Sequence, residues 1–141
     1  MLVVDARVLM PDRDSGSLRM FNLLKIFRKL GYKVTFIPDN LHYDEKYTAL
    51  LQGLGVECYY APYIANIRRH LEFAGSQYQV VLLSRADYAE KYIDMALRYC
   101  PQARILFDTV DLHFLRERRL AELTRNETML VLKGKLTLDF G

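Results

Sequence analysis

The chain of 141 residues has no tryptophan, only two cysteines, four prolines and seven glycines. Cys58 and Cys100 are too few for a disulfide scaffold or for a four-ligand zinc site built by this chain alone. No apolar run approaches the roughly 18 residues that a membrane-spanning helix needs. Repeats and low-complexity stretches are also missing. Fibrous, disulfide-stapled and membrane-spanning classes are therefore excluded.

Strong charge of one sign is missing as well. The 20 Lys and Arg residues against 17 Asp and Glu give a net charge of +3. Nucleic-acid binding usually needs a concentrated basic face, so no nucleic-acid partner is expected. The first residues lack the basic region and the apolar stretch of a signal peptide, which predicts a cytoplasmic protein with free thiols.

The residues that are present suit one packed domain, with 51% hydrophobic and 26% charged. Short apolar runs alternate with amphipathic stretches of helical spacing, which predicts crossover connections and a parallel sheet. The predicted strands are 2–5, 33–38, 56–60, 79–84 and 104–108. Predicted helices carry apolar residues from Met20 to Leu30, Tyr47 to Leu54, Ile64 to Ala74 and Ala89 to Leu97, and a charged helix covers 115–123. The fold class is thus α/β, a Rossmann-like doubly wound parallel sheet with helices on both faces.

Local signals place the ends of these helices. Gly31, Gly55 and Gly75 stand where C-terminal caps belong. Ser84 with Asp87 resembles a capping pair at the start of the fourth helix. We assign residues 1–123 to the domain. The tail, 124–141, alternates like a hairpin turning at Gly134, or it is a terminal segment outside the fold.

Ligands of open parallel sheets bind outside the carboxyl ends of the strands. That rule selects four loops: 11–19, 38–43, 84–87 and 108–113. Each loop alone is equally consistent with a solvated loop that has no function. Because all four are expected at one edge of the sheet, together they favour a ligand-binding site. Candidate substrate-binding residues on them are Gly16, Ser17, Arg19, Asp87 and Asp108.

The first loop favours an anion. Gly16 and Ser17 lie at a predicted helix N-terminus, where free N–H groups attract negative charge. Arg19 is a cation in that first turn, which a nearby phosphate would explain. Pairing of Asp12 or Asp14 with Arg13 or Arg19 is the structural alternative. The loop has one glycine and no Gly-Lys-Ser/Thr, so it is neither a dinucleotide fingerprint nor a P-loop.

The last loop, Phe107-Asp-Thr-Val-Asp-Leu-His113, brings two carboxylates and an imidazole together. Asp111 and His113 are the candidate catalytic residues, because such groups bind hydroxyls or move protons. A metal site on Asp108, Asp111 and His113 is nonspecific, and we predict none. A helix-start role without chemistry is the alternative for His113.

Other polar residues receive structural interpretations. His42 is either a binding-loop or a turn residue, and His70, beside Arg68 and Arg69, is expected at the surface. Tyr59, Tyr60, Tyr88 and Tyr92 are expected to be core or half-buried rather than sugar-stacking platforms.

The segment Val3-Val-Asp-Ala-Arg-Val-Leu-Met-Pro-Asp-Arg-Asp-Ser-Gly-Ser-Leu-Arg19 resembles the opening of bacterial glycosyltransferases of family 4, also called group 1. Phe36-Ile-Pro-Asp-Asn40, Leu83-Ser-Arg-Ala-Asp87 and Phe107-Asp-Thr-Val-Asp-Leu-His113 are similar to that family too. The resemblance covers roughly residues 1–123, with the motifs in the family's order.

This resemblance implies one half of a GT-B architecture, the N-terminal domain that mainly receives the acceptor. Gly16 and Ser17 would then lie near the donor phosphates with Arg19 beside them. Asp111 would match the family's polar residue near the acceptor hydroxyl. Many members carry His just before that Asp, where this chain has Val110, and His113 is shifted from that place.

The function implied is transfer of a sugar from a nucleotide-sugar donor to a hydroxyl of a glycan or lipid-linked acceptor, with no cofactor. Donor binding belongs to a C-terminal domain outside these residues, so we expect the chain alone to be inactive. A lipid acceptor would bring peripheral membrane contact, although no basic amphipathic helix requires it. The face left exposed without its partner domain could also dimerise. The alternative function is a non-catalytic α/β binding or regulatory module.

Overall fold

The computed structural model describes residues 1–108, 129–133 and 136–139; side chains are described for 1–85 and 88–108. Seven strands and four α-helices occur within these ranges. The strands are β1 (Leu2–Asp5), β2 (Thr35–Pro38), β3 (Glu57–Cys58), β4 (Val80–Ser84), β5 (Arg104–Asp108), β6 (Met129–Lys133) and β7 (Leu136–Asp139). The helices are α1 (Ser15–Lys29), α2 (Glu45–Gly53), α3 (Ile67–Ala74) and α4 (Ala86–Tyr99), with a 3₁₀ turn at Gly75–Gln77.

The strands form one sheet in the order β3-β2-β1-β4-β5-β6-β7. All neighbours from β3 to β6 pair in parallel, and β7 pairs antiparallel with β6. The order of the first six strands is that of a doubly wound Rossmann-like sheet. The predicted α/β class with a parallel sheet is therefore confirmed.

Helices cover both faces of the sheet, and the alternation of side chains along each strand explains why. Leu2 and Val4 of β1 face a core cluster that includes Leu71 of α3 and Ile93 of α4. Val3, between them, faces a second cluster that contains apolar residues of α1 and α2. Every residue of β1 is buried, as expected for a strand covered on both faces.

The first three helices begin at side-chain caps. Asp14, Asp44 and Asn66 precede α1, α2 and α3 and accept hydrogen bonds from first-turn backbone N–H groups. The third cap moves the start of α3 to Ile67, so Ile64 lies outside the helix but still packs on the core.

The first two helices end as predicted at glycines. Gly31 and Gly55 take positive φ angles of 94° and 85°. The backbone hydrogen bonds from Gly31 to Arg28 and from Tyr32 to Phe27 complete a Schellman motif. The side chain of Arg28 donates to the carbonyl oxygens of Tyr32 and Leu54, at 2.8 and 3.2 Å, and so joins the ends of α1 and α2.

Gly75 is the C-cap of α3, so this helix also ends at the predicted glycine, but without the positive φ of Gly31 and Gly55. Its φ is −59°, and a Cβ there would lie 2.4 Å from the carbonyl oxygen of Tyr99 at the end of α4. Close packing of two chain segments therefore requires glycine at this position.

The predicted Ser84–Asp87 capping pair is wrong. Ser84 ends β4, and the N-cap of α4 is Arg85, which has a φ of 67° and makes no side-chain capping bond. The Ser84 hydroxyl is instead a hydrogen-bond partner of Asp5.

The tail contributes two strands to the described structure. β6 extends the sheet beside β5, with Ile105 opposite Met129, and β7 pairs with β6 through Lys133 opposite Leu136. This antiparallel pairing is that of a hairpin. The predicted helix over 115–123 and the turn at Gly134 lie outside the described residues.

Among the helices in the described ranges, none combines the length and the apolar character needed to cross a membrane.

We expect Gly75→Ala to lower the free energy of unfolding by about 1–3 kcal/mol, because the new methyl group would overlap the Tyr99 carbonyl oxygen. Gly53→Ala is the matched control, since no atom lies within 4 Å of a Cβ there and alanine favours a helix. Urea denaturation of both variants measures the difference. Equal stability of the two would contradict the packing role of Gly75.

Candidate functional site

The order of the strands reverses between β1 and β4, and the polar groups of the described residues gather at the carboxyl ends of these strands. Asp5 ends β1 with only 1% of its surface exposed. Its Oδ1 accepts hydrogen bonds from Arg85 Nε at 2.8 Å and from the Ala6 backbone N–H at 2.6 Å. In doubly wound sheets this point of reversal is where ligands bind.

Burial raises the pKa of Asp5, and the adjacent Arg85 guanidinium opposes that rise. The guanidinium also lies 3.9 Å from Asp14 Oδ1 and is partly exposed to solvent. Arg85 thus connects the end of β1, the start of α1 and the start of α4. Arg85 has a positive φ of 67° and is the single residue between β4 and α4. Such backbone conformations are uncommon for residues other than glycine and cluster at functional sites.

The carboxylate of Asp14 occupies the N-terminus of α1. Asp14 Oδ1 accepts the Ser17 backbone N–H at 2.7 Å, and its Oδ2 accepts the Ser17 hydroxyl at 3.0 Å. The Ser17 N–H lowers the pKa of Asp14, so this carboxylate is ionised at neutral pH. Gly16 is exposed beside it, and a Cβ at Gly16 would lie 3.6 Å from an Arg85 guanidinium nitrogen. A phosphate at this helix end would share it with Asp14.

Arg19 does not pair with Asp12 or Asp14, the partners considered for it. It forms a salt bridge with Asp108, the buried last residue of β5. Asp12 instead binds Lys46 Nζ at 2.9 Å and the Tyr47 hydroxyl at 2.7 Å. The structure therefore brings two of the predicted binding residues, Arg19 and Asp108, into direct contact across the carboxyl edge.

The remaining predicted site residues are less completely described. Asp87 lies in the first turn of α4, and its side chain is outside the described part of the structure. Asp111 and His113 lie outside the described residues altogether. Their catalytic roles stay predictions.

A cavity of about 430 Å³ opens at this edge between the loops after β1, β2 and β4. Its lining residues are Ala6, Arg7, Asp39, Asn40, Arg85 and Tyr88. Asp39 is held by Lys91 Nζ at 2.8 Å and by the Tyr92 hydroxyl. Guanidinium, carboxylate and amide groups around one cavity can donate to and accept from the hydroxyl groups of a polar ligand.

Sequence reasoning selected two of the three loops of this cavity, 38–43 and 84–87, but missed its principal residues. Arg85 lies inside the selected segment 84–87, between a strand end and a helix start. Arg7 lies in the loop directly after β1. Asp39 and Asn40 begin the selected loop after β2. The signal that could have found them is a charged or amide side chain within two residues of a strand's carboxyl end.

The opposite edge of the sheet carries a second cavity of about 310 Å³, lined among others by Thr35, Glu57, Tyr59, His70 and Tyr78. The prediction that His70 lies at the surface is wrong. It is 9% exposed, and its Nε2 lies 2.6 Å from the Tyr78 hydroxyl. Tyr59 and Tyr78 flank the imidazole at ring-centroid distances of 4.8 and 5.8 Å. Helical periodicity puts position 70 on the same face as Ile67, Leu71 and Ala74, and that signal should have outweighed the neighbouring arginines.

Other predictions about single residues have mixed outcomes. His42 takes part in a turn, since its N–H donates to Asn40 Oδ1 at 3.0 Å. Tyr92 is buried, and Tyr59, Tyr60 and Tyr88 are half-buried, which confirms their expected burial. Cys58 and Cys100 are free thiols, and burial raises both pKa values to about 11. Neither is a good nucleophile at neutral pH.

Comparisons of the chain with protein-family models, curated proteins and solved structures found no match. In the described residues no three His, Cys, Asp or Glu side chains lie close enough together to hold a metal ion.

The Asp5–Arg85 contact predicts how stability depends on pH. Removal of the guanidinium in Arg85→Gly should raise the pKa of Asp5 further above its unfolded value. Such a carboxyl group stabilises the fold fully below its unfolded pKa, and that stability is lost as pH rises through the folded pKa. We expect the free energy of unfolding of Arg85→Gly to fall more steeply than wild type between pH 4 and 8, by up to about 1.4 kcal/mol per pH unit.

Chemical denaturation at several pH values measures this slope. The control is Asp5→Asn combined with Arg85→Gly, which has no carboxyl group to ionise at position 5. Identical pH profiles for the single and double variants would show that Arg85 does not hold the Asp5 charge.

His70 predicts the opposite dependence of stability on pH. Burial lowers the pKa of His70, with the Glu57 charge opposing the change, so the unfolded chain binds this proton more readily than the folded one. Its contribution is complete above the unfolded pKa of about 6.5 and is lost as the pH falls below it. We expect His70→Gln, which does not titrate, to flatten the loss of stability between pH 7 and 5. An unchanged profile would place the proton-linked group elsewhere.

Proposed function

We propose that the chain is the acceptor-side, N-terminal domain of a GT-B glycosyltransferase similar to family 4, or group 1. In the whole enzyme a sugar would pass from a nucleotide-sugar donor to a hydroxyl group of a glycan or lipid-linked acceptor. The donor would be held mainly by a C-terminal domain outside these 141 residues. We propose a cytoplasmic location, where nucleotide-sugars are made.

The observation that carries the proposal is the polar cavity at the point where the strand order reverses. Arg7 and Arg85 supply guanidinium donors, and Asp39 supplies a carboxylate acceptor. Asn40 adds an amide that both donates and accepts. Hydroxyl groups of a sugar need donors and acceptors in alternation, and this set offers both within one cavity.

The edge also suits the charge of a nucleotide-sugar. The exposed Gly16 lies against the Arg85 guanidinium at the N-terminus of α1, and Arg19 follows one turn later. Because Asp14 already occupies the Ser17 N–H, donor phosphates would meet the guanidinium groups rather than that N–H. In this proposal Asp111 orients the acceptor hydroxyl and His113 assists proton transfer.

Positioning supplies much of the rate in group transfer, so one wall of the cleft should not suffice for catalysis. We expect no sugar transfer by the 141-residue chain. We expect binding of UDP-glucose, UDP-N-acetylglucosamine or GDP-mannose only when the chain is extended past Gly141 in its reading frame. Calorimetric titration of both forms with the three nucleotide-sugars measures this.

In the extended form, Arg19→Ala should weaken donor binding by about tenfold or more, because charged hydrogen bonds are strong. Lys29→Ala is the matched control, a cation at the other end of α1. Tight binding by the 141-residue chain alone, or a stop codon directly after Gly141, would contradict the proposed division of labour.

A specific observation favours the second candidate, a non-catalytic α/β binding module. The charged groups at the carboxyl edge have partners within the protein, as in the Asp5–Arg85 and Arg19–Asp108 pairs, and Asp14 caps α1. Such satisfied charges can hold loops in place for a binding surface without taking part in chemistry. The stop codon named above would favour this candidate.

A further inference from the structure

Three tyrosine rings form a cluster at the carboxyl edge of the sheet. The ring centroids of Tyr43 and Tyr60 are 4.9 Å apart with a tilt of 45°, and those of Tyr60 and Tyr63 are 5.4 Å apart and nearly perpendicular. Tyr43 comes from the loop after β2, and the other two come from the loop after β3. Tyr43, Tyr60 and Tyr63 together are named the tyrosine platform below.

The backbone holds the platform in a fixed arrangement. The Ala61 N–H donates to the Leu41 carbonyl oxygen at 2.9 Å and so joins the two loops. The Tyr63 N–H donates to the Tyr60 carbonyl oxygen at 2.9 Å, which closes a turn between the two rings. Leu41 packs on the core and anchors the first loop. A ligand would therefore meet rings that are already ordered.

The platform is open to solvent despite its order. Tyr63 is 75% exposed and Tyr43 is 50% exposed. In the described part of the chain none of the three hydroxyl groups makes a hydrogen bond to another residue. Exposed ring surface and unused hydroxyl groups thus lie together in one cluster, a combination enriched at binding surfaces.

The size of the platform decides between classes of ligand. Its exposed ring surface amounts to roughly 300 Å². A stable protein interface needs about 800 Å² from each partner, so the platform alone is too small to hold a second copy of the chain or another folded protein. One or two sugar rings fit this area, because a pyranose lays its C–H face on an aromatic ring while its hydroxyl groups point outward.

The position of the platform favours the same ligand. Asn40 lines the polar cavity, and Tyr43 follows three residues later, so their Cα atoms lie within roughly 11 Å. A short oligosaccharide could place one end in the cavity and its next ring over the tyrosines. A lipid chain would need a continuous apolar surface, which the carboxylate and guanidinium groups of the cavity interrupt.

We propose that the tyrosine platform binds the one or two sugar rings next to the terminal sugar of an oligosaccharide, and that the terminal sugar enters the Arg7–Asp39–Arg85 cavity. Tyr60, which the sequence predicts only as a packing residue, takes part in this binding. The identification of this oligosaccharide as the acceptor rests on the proposed function. Carbohydrate binding by the three rings does not, and it can be measured without sugar transfer.

The test uses the 141-residue chain with ¹³C-labelled tyrosine rings, titrated with cellotetraose, chitotetraose and mannotetraose. We expect saturable shifts of the ring signals of Tyr43, Tyr60 and Tyr63 with at least one of these sugars. Tyr63→Ala should weaken binding roughly 3- to 10-fold, whereas Tyr63→Phe, which keeps the ring face, should retain most of it. Phe73→Ala is the matched control, since Phe73 is an exposed ring outside the platform, 87% exposed on α3.

Three results would overturn the proposal. The first is the absence of ring-signal shifts at the platform with all three sugars. The second is that Phe73→Ala weakens sugar binding as much as Tyr63→Ala does. The third is ring-signal shifts that depend on protein concentration alone, which would indicate self-association.

The two proposals fail separately. Sugar binding at the platform without sugar transfer by the extended chain would support the platform and contradict the proposed glycosyltransferase function. Sugar transfer with a KM for the acceptor that does not change in Tyr63→Ala would support the glycosyltransferase function and contradict the platform.

Discussion

The buried carboxylate of Asp5 is the constraint on which the carboxyl edge depends. A charge at the end of β1 needs a cation, and Arg85 supplies it from the loop that follows β4. Arg85 has a positive φ and occupies the cap position of α4 without capping it. The neighbouring Arg19–Asp108 pair connects α1 to β5 in the same way. Two ion pairs thus set the shape of the crevice in which the proposed site lies.

Most of the fold could be predicted because its signals are local. Buried parallel strands read as short apolar runs, and the helices between them show helical spacing and end at Gly31 and Gly55. Gly75 shows the limit of this reasoning. Its sequence position is that of a helix cap, but glycine is needed there because the Tyr99 carbonyl oxygen approaches from a helix 24 residues away. No local pattern contains that contact.

The sequence predicts the edge of the sheet at which the candidate site lies better than it predicts the contacts between the residues of that site. The rule that ligands bind at the carboxyl ends of parallel strands selected two of the three loops that line the cavity, 38–43 and 84–87. It could not show that Asp14 would occupy the N-terminus of α1, or that Arg19 would pair with Asp108 rather than with a neighbour in sequence. Such pairings depend on which loops the sheet order brings together. The surface position predicted for His70 is wrong for the opposite reason, because the apolar face of α3 on which it lies decides its burial and the charged neighbours do not.

The side chain of Arg28 has a consequence for how the protein loses its structure. Because one guanidinium binds the carbonyl oxygens of Leu54 and Tyr32, the ends of α1 and α2 are held by the same group. A cation at two helix C-termini is favourable to both. Neither helix can fray at that end without releasing the donor that its neighbour uses. The two helices on this side of the sheet therefore form one cooperative unit in partial unfolding, with shared protection of their last amides from hydrogen exchange.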